Sequence, residues 1–278
     1  MSEFFLSILD WFNHTPIGAW WHSTVMYFFT TKGADGADTF GTWLYSSNFG
    51  KAVFVQNRWL LYVEGLINTL IIALIAAVIG ITIGVVIAMI NYLHKRTGKL
   101  KPAATICNLY ITLVRGTPVV LQLMLMYFVV LVFWDNGVMI GAITFGLNSG
   151  AYVAEIARSG FESVDDGQME AGRSLGLSTW QTMRSIIIPQ AVRNCLPPLF
   201  NEFIMLVKET AIVGYVGILD LGKVPGMIQA RTFDYLFPLV ISAVLYLIVV
   251  MGLTRVLHVI ENSLAKSDRN RGGVANGK

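Results

Sequence analysis

Residues 62–93 read YVEGLINTLIIALIAAVIGITIGVVIAMINYL, and this stretch decides the fold class. After Glu64 it carries no charged side chain through Leu93. About 20 apolar residues suffice to carry a helix across the hydrocarbon core of a bilayer. This run is longer, so the helix is tilted or projects beyond the membrane. Gly80 and Gly84 supply the small-xxx-small spacing that lets a second helix approach closely. Composition extends the same reading to the whole chain. Of its 278 residues, 55% are hydrophobic and 13% charged, about half the charged share of soluble proteins. A net charge of +3 is too weak to point to nucleic acid. Cys107 and Cys195 lie far apart in apolar segments and read as inert thiols, with no disulfide framework.

Four further segments have the same character. They run from about Pro102 to Trp134 (interrupted by Arg115-Gly116-Thr117-Pro118), Val138 to Ala157, Ile186 to Val207 and Tyr235 to Leu257. The predicted fold is all-α: a polytopic membrane protein with five core transmembrane helices. Residues 59–262 form the membrane domain, 1–58 an extracytoplasmic or interfacial extension, and 263–278 a cytoplasmic tail. The N-terminus lacks the positive n-region of a secretory signal. Its aromatic cluster of Trp11, Phe12, Trp20, Trp21, Tyr27, Phe28 and Phe29 favours helices lying at the membrane interface. An extra span and a loosely ordered extension are the alternatives. Residues 32–38 read as an exposed loop, and Asn13-His14-Thr15 matches a glycosylation sequon by chance.

Orientation follows from the basic residues. One set of loops and the C-terminal tail hold eleven: Lys95, Arg96, Lys99, Lys101, Arg173, Arg184, Arg255, Lys266, Arg269, Arg271 and Lys278. The opposite set holds five: Lys32, Lys51, Arg58, Lys223 and Arg231. Residues 94–101, 159–185 and 258–278 are therefore expected in the cytoplasm. Five spans then put the N-terminus outside.

The cytoplasmic segment 160–189, GFESVDDGQMEAGRSLGLSTWQTMRSIIIP, reads as a short helix–turn–helix. Asp165 or Asp166 caps a helix beginning near Gln168, Gly176 ends it in the left-handed conformation, and Ser178 with Gln181 forms a capping box for a second helix. These residues resemble the "EAA" loop of binding-protein-dependent ABC import permeases. Glu170-Ala171-Gly172, Gly176, Ile186 and Ile188-Pro189 keep its spacing, with Gly172 standing for alanine and Ile188 for leucine. Glycine at 172 is expected to loosen the helix by about 1 kcal/mol. The resemblance covers roughly residues 59–260 and narrows to the polar amino acid branch. That narrowing rests on Gly65 with Thr69-Leu70, Arg115-Gly116-Thr117-Pro118 with Gln122, residues 150–158, and Lys208-Glu209-Thr210, where the family usually has Lys-Asp-Thr.

The resemblance implies a permease that is half of a two-subunit pore in a bacterial inner membrane. It implies a dimer of ATPase subunits, a second permease copy or homologous permease, and an extracytoplasmic amino-acid-binding protein. No GxxxxGK[ST] phosphate loop occurs in the chain. The permease is thus expected not to be an enzyme itself and to hold no cofactor, with ATP and Mg bound by the partner ATPase. In this reading Glu170, Ala171, Gly172, Leu175, Gly176, Leu177 and Pro189 build the knob gripped by the ATPase; the bland alternative is a loop that only anchors two helix ends.

Polar groups within spans mark candidate substrate contacts. Pro118 removes a backbone donor and disfavours helix at Thr117, so a local break is expected there. Broken helices expose backbone groups to a zwitterion, and Gln122 would face the same cavity. Asn148 and Tyr152 sit in the third span. Glu155 and Arg158, three apart, pair with each other or fix helix depth. Asn201, Glu202, Lys208 and Thr210 either contact the substrate's charged groups or hold the bundle together. The competing function is an ion-coupled secondary amino acid transporter, which predicts an inverted repeat and paired intramembrane acids, neither of which is evident.

Overall fold

The computed structural model describes residue 11, residues 14–27 and residues 40–275. The loop at 32–38 and Asn13 of the sequon lie outside the described residues. The described elements are helical throughout. They are α1 (Pro16–Trp20, continued by a wide turn, Trp21–Met26), α2 (Phe40–Ser46), α3 (Asn48–Val53), α4 (Trp59–Thr97), α5 (Lys101–Arg115) and α6 (Val119–Leu125). There follow α7 (Gly137–Glu162), α8 (Asp166–Ser174), α9 (Thr179–Thr182), α10 (Ile188–Glu209), α11 (Val224–Thr232) and α12 (Leu236–Ala275). The chain divides into two compact units, one of residues 1–68 with 219–245 and the other of 69–218 with 246–278.

Among the described residues, three helices are long and apolar enough to span: Val55–Thr97, Gly137–Glu162 and Leu236–Leu264. The pair Lys101–Arg115 and Val119–Val130 qualifies together but bends by 103° at the break. Helix α10, 22 residues long and expected as a fourth span, is less apolar than these; it carries Arg193, Glu202, Lys208 and Glu209 as well as Pro197 and Pro198. Helix α4 starts before the expected Tyr62 and α7 continues past Ala157 to Glu162. Helix α12 runs unbroken through residue 263 to Ala275.

In the larger unit α7 is the centre. Two-thirds of its most apolar window is buried (67%), against 33% for that of α4 and 11% for that of α12. Small side chains make this possible. A Cβ on Gly80 would stand 3.0 Å from Ser149 Cβ, and one on Gly84 would stand 2.8 Å from the Ala154 backbone nitrogen. The small-residue spacing of α4 therefore faces α7, as helix association in lipid requires. A Cβ at Gly160 would fall on the sulfur of Cys195, so α10 also packs in contact with α7. The core of the unit gathers Ile72, Ala76, Leu123, Phe145, Leu206 and Val213, all essentially fully buried.

In the smaller unit Ser47 caps α3, its Oγ accepting from Gly50 N at 3.0 Å. The Arg58 guanidinium donates to Lys51 O, and Asn68 Nδ2 donates to Leu219 O at 2.9 Å. Trp21 and Trp59 pack ring to ring at 5.3 Å.

Gly84→Ala is expected to destabilise the protein by about 1–3 kcal/mol, because its neighbours include backbone that cannot swing aside. Gly252→Ala, whose Cβ would meet nothing within 4 Å, should be neutral. Thermal unfolding in detergent compares the two.

Candidate functional site

The loop between α7 and α10 is built as its sequence dictates. Asp165 Oδ1 accepts from Gly167 N at 2.7 Å and starts α8, with Asp166 in the first turn and Arg173 in the last, both complementing the helix dipole. Gly176, at φ +84°, ends it. Gly176 N donates to Arg173 O at 3.0 Å and Leu177 N to Gly172 O at 3.1 Å, which closes the last turn. Ser178 Oγ accepts from Gln181 N at 3.2 Å while Gln181 Oε1 accepts from Ser178 N at 2.8 Å, completing the capping box of α9.

Met169, Met183 and Ile187 anchor the loop in a cluster with Tyr92, Phe161 and Ala191. Opposite that anchor Glu170, Ala171 and Gly176 are exposed, and Leu175 is 81% exposed. Leu177 is half-buried and Pro189 exposed at the start of α10. Trp180, 59% exposed, stands on α9. The sequence reading passed over it, although a large aromatic in a four-residue capped helix next to a docking motif was the available signal. The glycine at 172 has a partner that explains it: a Cβ there would lie 2.5 Å from Thr182 Cγ2, and Thr182 is fully buried. The expected loosening is therefore offset by close packing of α8 on α9.

A chain of ion pairs runs from this loop along α7. Arg96 pairs with Asp166 at the start of α8. Its neighbour Lys95 reaches Glu162 Oε1 at 2.8 Å. Glu162 Oε2 accepts from Arg158 at 2.6 Å, and Arg158 reaches Glu155 Oε2 at 2.8 Å. Arg115 stands 4.0 Å from the same Glu155 oxygen. Glu155 and Arg158 thus pair as expected, but within a network rather than alone. Each link is partly exposed and contributes at most about 1 kcal/mol. What the network supplies is a fixed geometry between the loop and Arg115.

Arg115 is the last residue of α5, and the expected break follows it. Pro118 is extended (φ −62°, ψ 133°) and α6 begins at Val119. Gln122 repairs the break. Its Nε2 lies within hydrogen-bonding distance of Val114 O at 2.8 Å and of Thr117 O and Oγ1 at 3.1 and 2.8 Å. Its Oε1 accepts from Asn148 Nδ2 on α7 at 3.0 Å. Tyr110, Val114, Thr117, Gln122, Thr144 and Leu147 line a cavity of about 260 Å³ at this point.

The other candidates divide. Glu202 is half-buried and accepts from Ser149 Oγ at 2.8 Å, facing α7. Tyr152 is 39% exposed and lies under the Arg115 guanidinium at 5.2 Å from its ring centre. Asn201 and Lys208 are exposed, whereas Thr210 is fully buried and donates to Val207 O at 2.8 Å. Glu202 and Lys208, six apart on α10, point to different sides, whereas Asn201 and Lys208, seven apart, share an exposed face.

Comparison with known proteins places these features in a group. Residues 80–266 match the family model of the binding-protein-dependent transport system inner membrane component. A putative glutamine transport system permease of Rickettsia bellii is 38% identical over 175 residues, which are 62% of this chain and 80% of that one. The arginine transport system permease ArtQ of Bacillus subtilis is 37% identical, covering 60% of this chain and 78% of its own. A crystal structure of an amino acid ABC transporter with histidines superposes with a TM-score of 0.71 at 37% identity, over 78% of this chain and 99% of that one.

Gln122→Leu leaves Asn148, 5% exposed, without its acceptor, and should cost about 1–3 kcal/mol. The double change Gln122→Leu with Asn148→Leu is expected to cost less than the sum of the singles. A double-mutant cycle on thermal unfolding measures the difference.

Proposed function

The chain belongs to the family of binding-protein-dependent transport system inner membrane components, and from that premise we propose that it forms half of the translocation pore of an ATP-driven amino acid importer. Relatives named for glutamine and arginine transport support the substrate class. One observation carries the reading. The two short helices of the 165–189 loop are each capped, and the loop is anchored by buried methionines and crowned by exposed Leu175 and Trp180, which makes it a firm knob for a partner.

In this reading the partner is an ATPase dimer that holds ATP and Mg, while the permease pairs with a second copy or a homologous permease. A binding protein delivers the amino acid on the outer face. The protein is a multi-pass component of the inner membrane, with its N-terminus outside and its C-terminus inside. Residues 1–58 form the outer extension, 59–262 the five-span membrane domain, and 263–278 the cytoplasmic tail.

Closure of the ATPase pair moves Glu170, Leu175, Gly176 and their neighbours. The anchored loop and the Arg96–Asp166 and Lys95–Glu162–Arg158–Glu155 pairs carry that motion to Arg115 and the break at 116–118. There the zwitterion passes Thr117, Gln122 and Asn148, whose amide and hydroxyl groups exchange hydrogen bonds with it. Glu202 offers a carboxylate to the ammonium group, and Glu155 with Arg158 lies at the cytoplasmic exit.

Reconstitution with the ATPase and the loaded binding protein tests this. Leu175→Asp, Trp180→Ala and Gly176→Trp should each abolish binding-protein-stimulated ATP hydrolysis while the permease keeps its thermal stability to within about 2 kcal/mol, the cost of a non-glycine at positive φ. Stimulation at the wild-type level in all three would overturn the assignment of the loop.

A further inference from the structure

Arg115 ends α5 with a guanidinium that the fold leaves unused. Its fork of N–H donors makes no hydrogen bond among the described residues. Its ion contact with Glu155 Oε2 is 4.0 Å long. That oxygen already accepts from Arg158 Nε at 3.2 Å and from a second Arg158 nitrogen at 2.8 Å. Charges along the network do not balance either. Four cations, Arg96, Lys95, Arg158 and Arg115, share three carboxylates, those of Asp166, Glu162 and Glu155. Arg115 is the cation in excess, at the end of the network and on its longest link.

Its depth makes that excess costly. The guanidinium lies on the ring of Tyr152, 5.2 Å from the centre. Tyr152 stands near the middle of α7 (Gly137–Glu162), about 15 Å of helix from Glu162. An ionised group at such a position is retained for function, and it faces a polar path rather than lipid. Arg115 and Tyr152 are both open, their exposures being 43% and 39%. The break sets them there. Gly116 N donates to Thr112 O at 2.9 Å and closes α5 directly after Arg115, and extended Pro118 turns the chain away. Stacking on Tyr152 then fixes the plane of the guanidinium, so little freedom is left to lose when both prongs of the fork engage a ligand. A planar cation with free paired donors matches a carboxylate.

We propose that Arg115 binds the α-carboxylate of the transported amino acid, with Tyr152 as the positioning residue that orients its fork. This rests on the importer reading above, in which the route runs from Thr117 and Asn148 to the exit at Glu155 and Arg158. Arg115 lies between them and selects for the α-carboxylate whatever side chain the amino acid carries.

Equilibrium binding to the permease–ATPase complex in nanodiscs, without binding protein, tests this with two ligand pairs. They are L-glutamine against L-glutaminamide and L-arginine against L-argininamide, at about pH 6.5, where each amide keeps its ammonium group. Wild type is expected to favour the acid of a pair by about 10- to 100-fold. Arg115→Gln should bring that ratio close to one, and Arg115→Lys, which keeps the charge but not the fork, to an intermediate value. Tyr152→Leu should lower the ratio as well, whereas Tyr152→Phe, which keeps the ring, should preserve it. The amide makes no use of the clamp, so its binding reports whether each variant is folded. Loss of acid and amide binding by the same factor in Arg115→Gln overturns the clamp, because Arg115 then only shapes the bundle or meets the second permease. A wild-type ratio near one overturns it too. If wild type binds none of the four ligands the clamp falls; uptake of glutamine or arginine by the same complex with its binding protein then keeps the importer reading, and the absence of any amino acid uptake overturns both.

Discussion

The larger compact unit depends on how closely helices can approach 137–162. Lipid gives apolar helices no hydrophobic reason to associate, so contact area and shared hydrogen bonds must suffice. Residues such as Gly141, Gly146, Ser149, Gly150, Ala154 and Gly160 keep that helix thin. Neighbours then reach it on every side: Gly80 and Gly84 from 59–97, Gln122 from 119–125, Glu202 and Cys195 from 188–209. Tyr110 donates to its Leu147 carbonyl from 101–115. Asn148, Ser149, Glu155, Arg158 and Glu162, which make hydrogen bonds and ion pairs of the candidate site, stand on this one helix.

Such a centre would link the 165–189 loop to the break at 116–118, as the proposed coupling needs. The loop rests, through Met169 and Met183, on Phe161 at the end of the central helix. The break rests on Asn148, thirteen residues earlier on the same helix. Between them lie Glu155 and Arg158, with Glu162 directly after Phe161. A rigid rod joins the two ends, and the ion pairs keep its surroundings in register.

Much of this was legible in the sequence because local rules act strongly there. Asp165, Gly176, Ser178 and Gln181 are caps whose function depends on near neighbours alone, and each does what its type predicts. Pro118 likewise announces its own break. What was not legible depends on distant partners. Gln122 lines the cavity, but it also supplies bonds that the broken backbone lost. Gly172 looked like a weak substitution until Thr182 was found against it. The polar residues of 188–209 looked like one group, yet helical rotation separates Glu202 from Lys208 and buries Thr210.

The central claim is that the cytoplasmic knob moves with the membrane bundle as one body. Spin labels at Leu175→Cys and Val86→Cys, both exposed in the same compact unit, measure it directly by pulsed electron resonance in the complete transporter. The account predicts that the 86–175 distance within one chain is the same in nucleotide-free and ATP-bound states, while the 175–175 distance between the two copies shortens on binding ATP. A 86–175 distance that changes with nucleotide would contradict it, because the loop would then be hinged and could not drive the break.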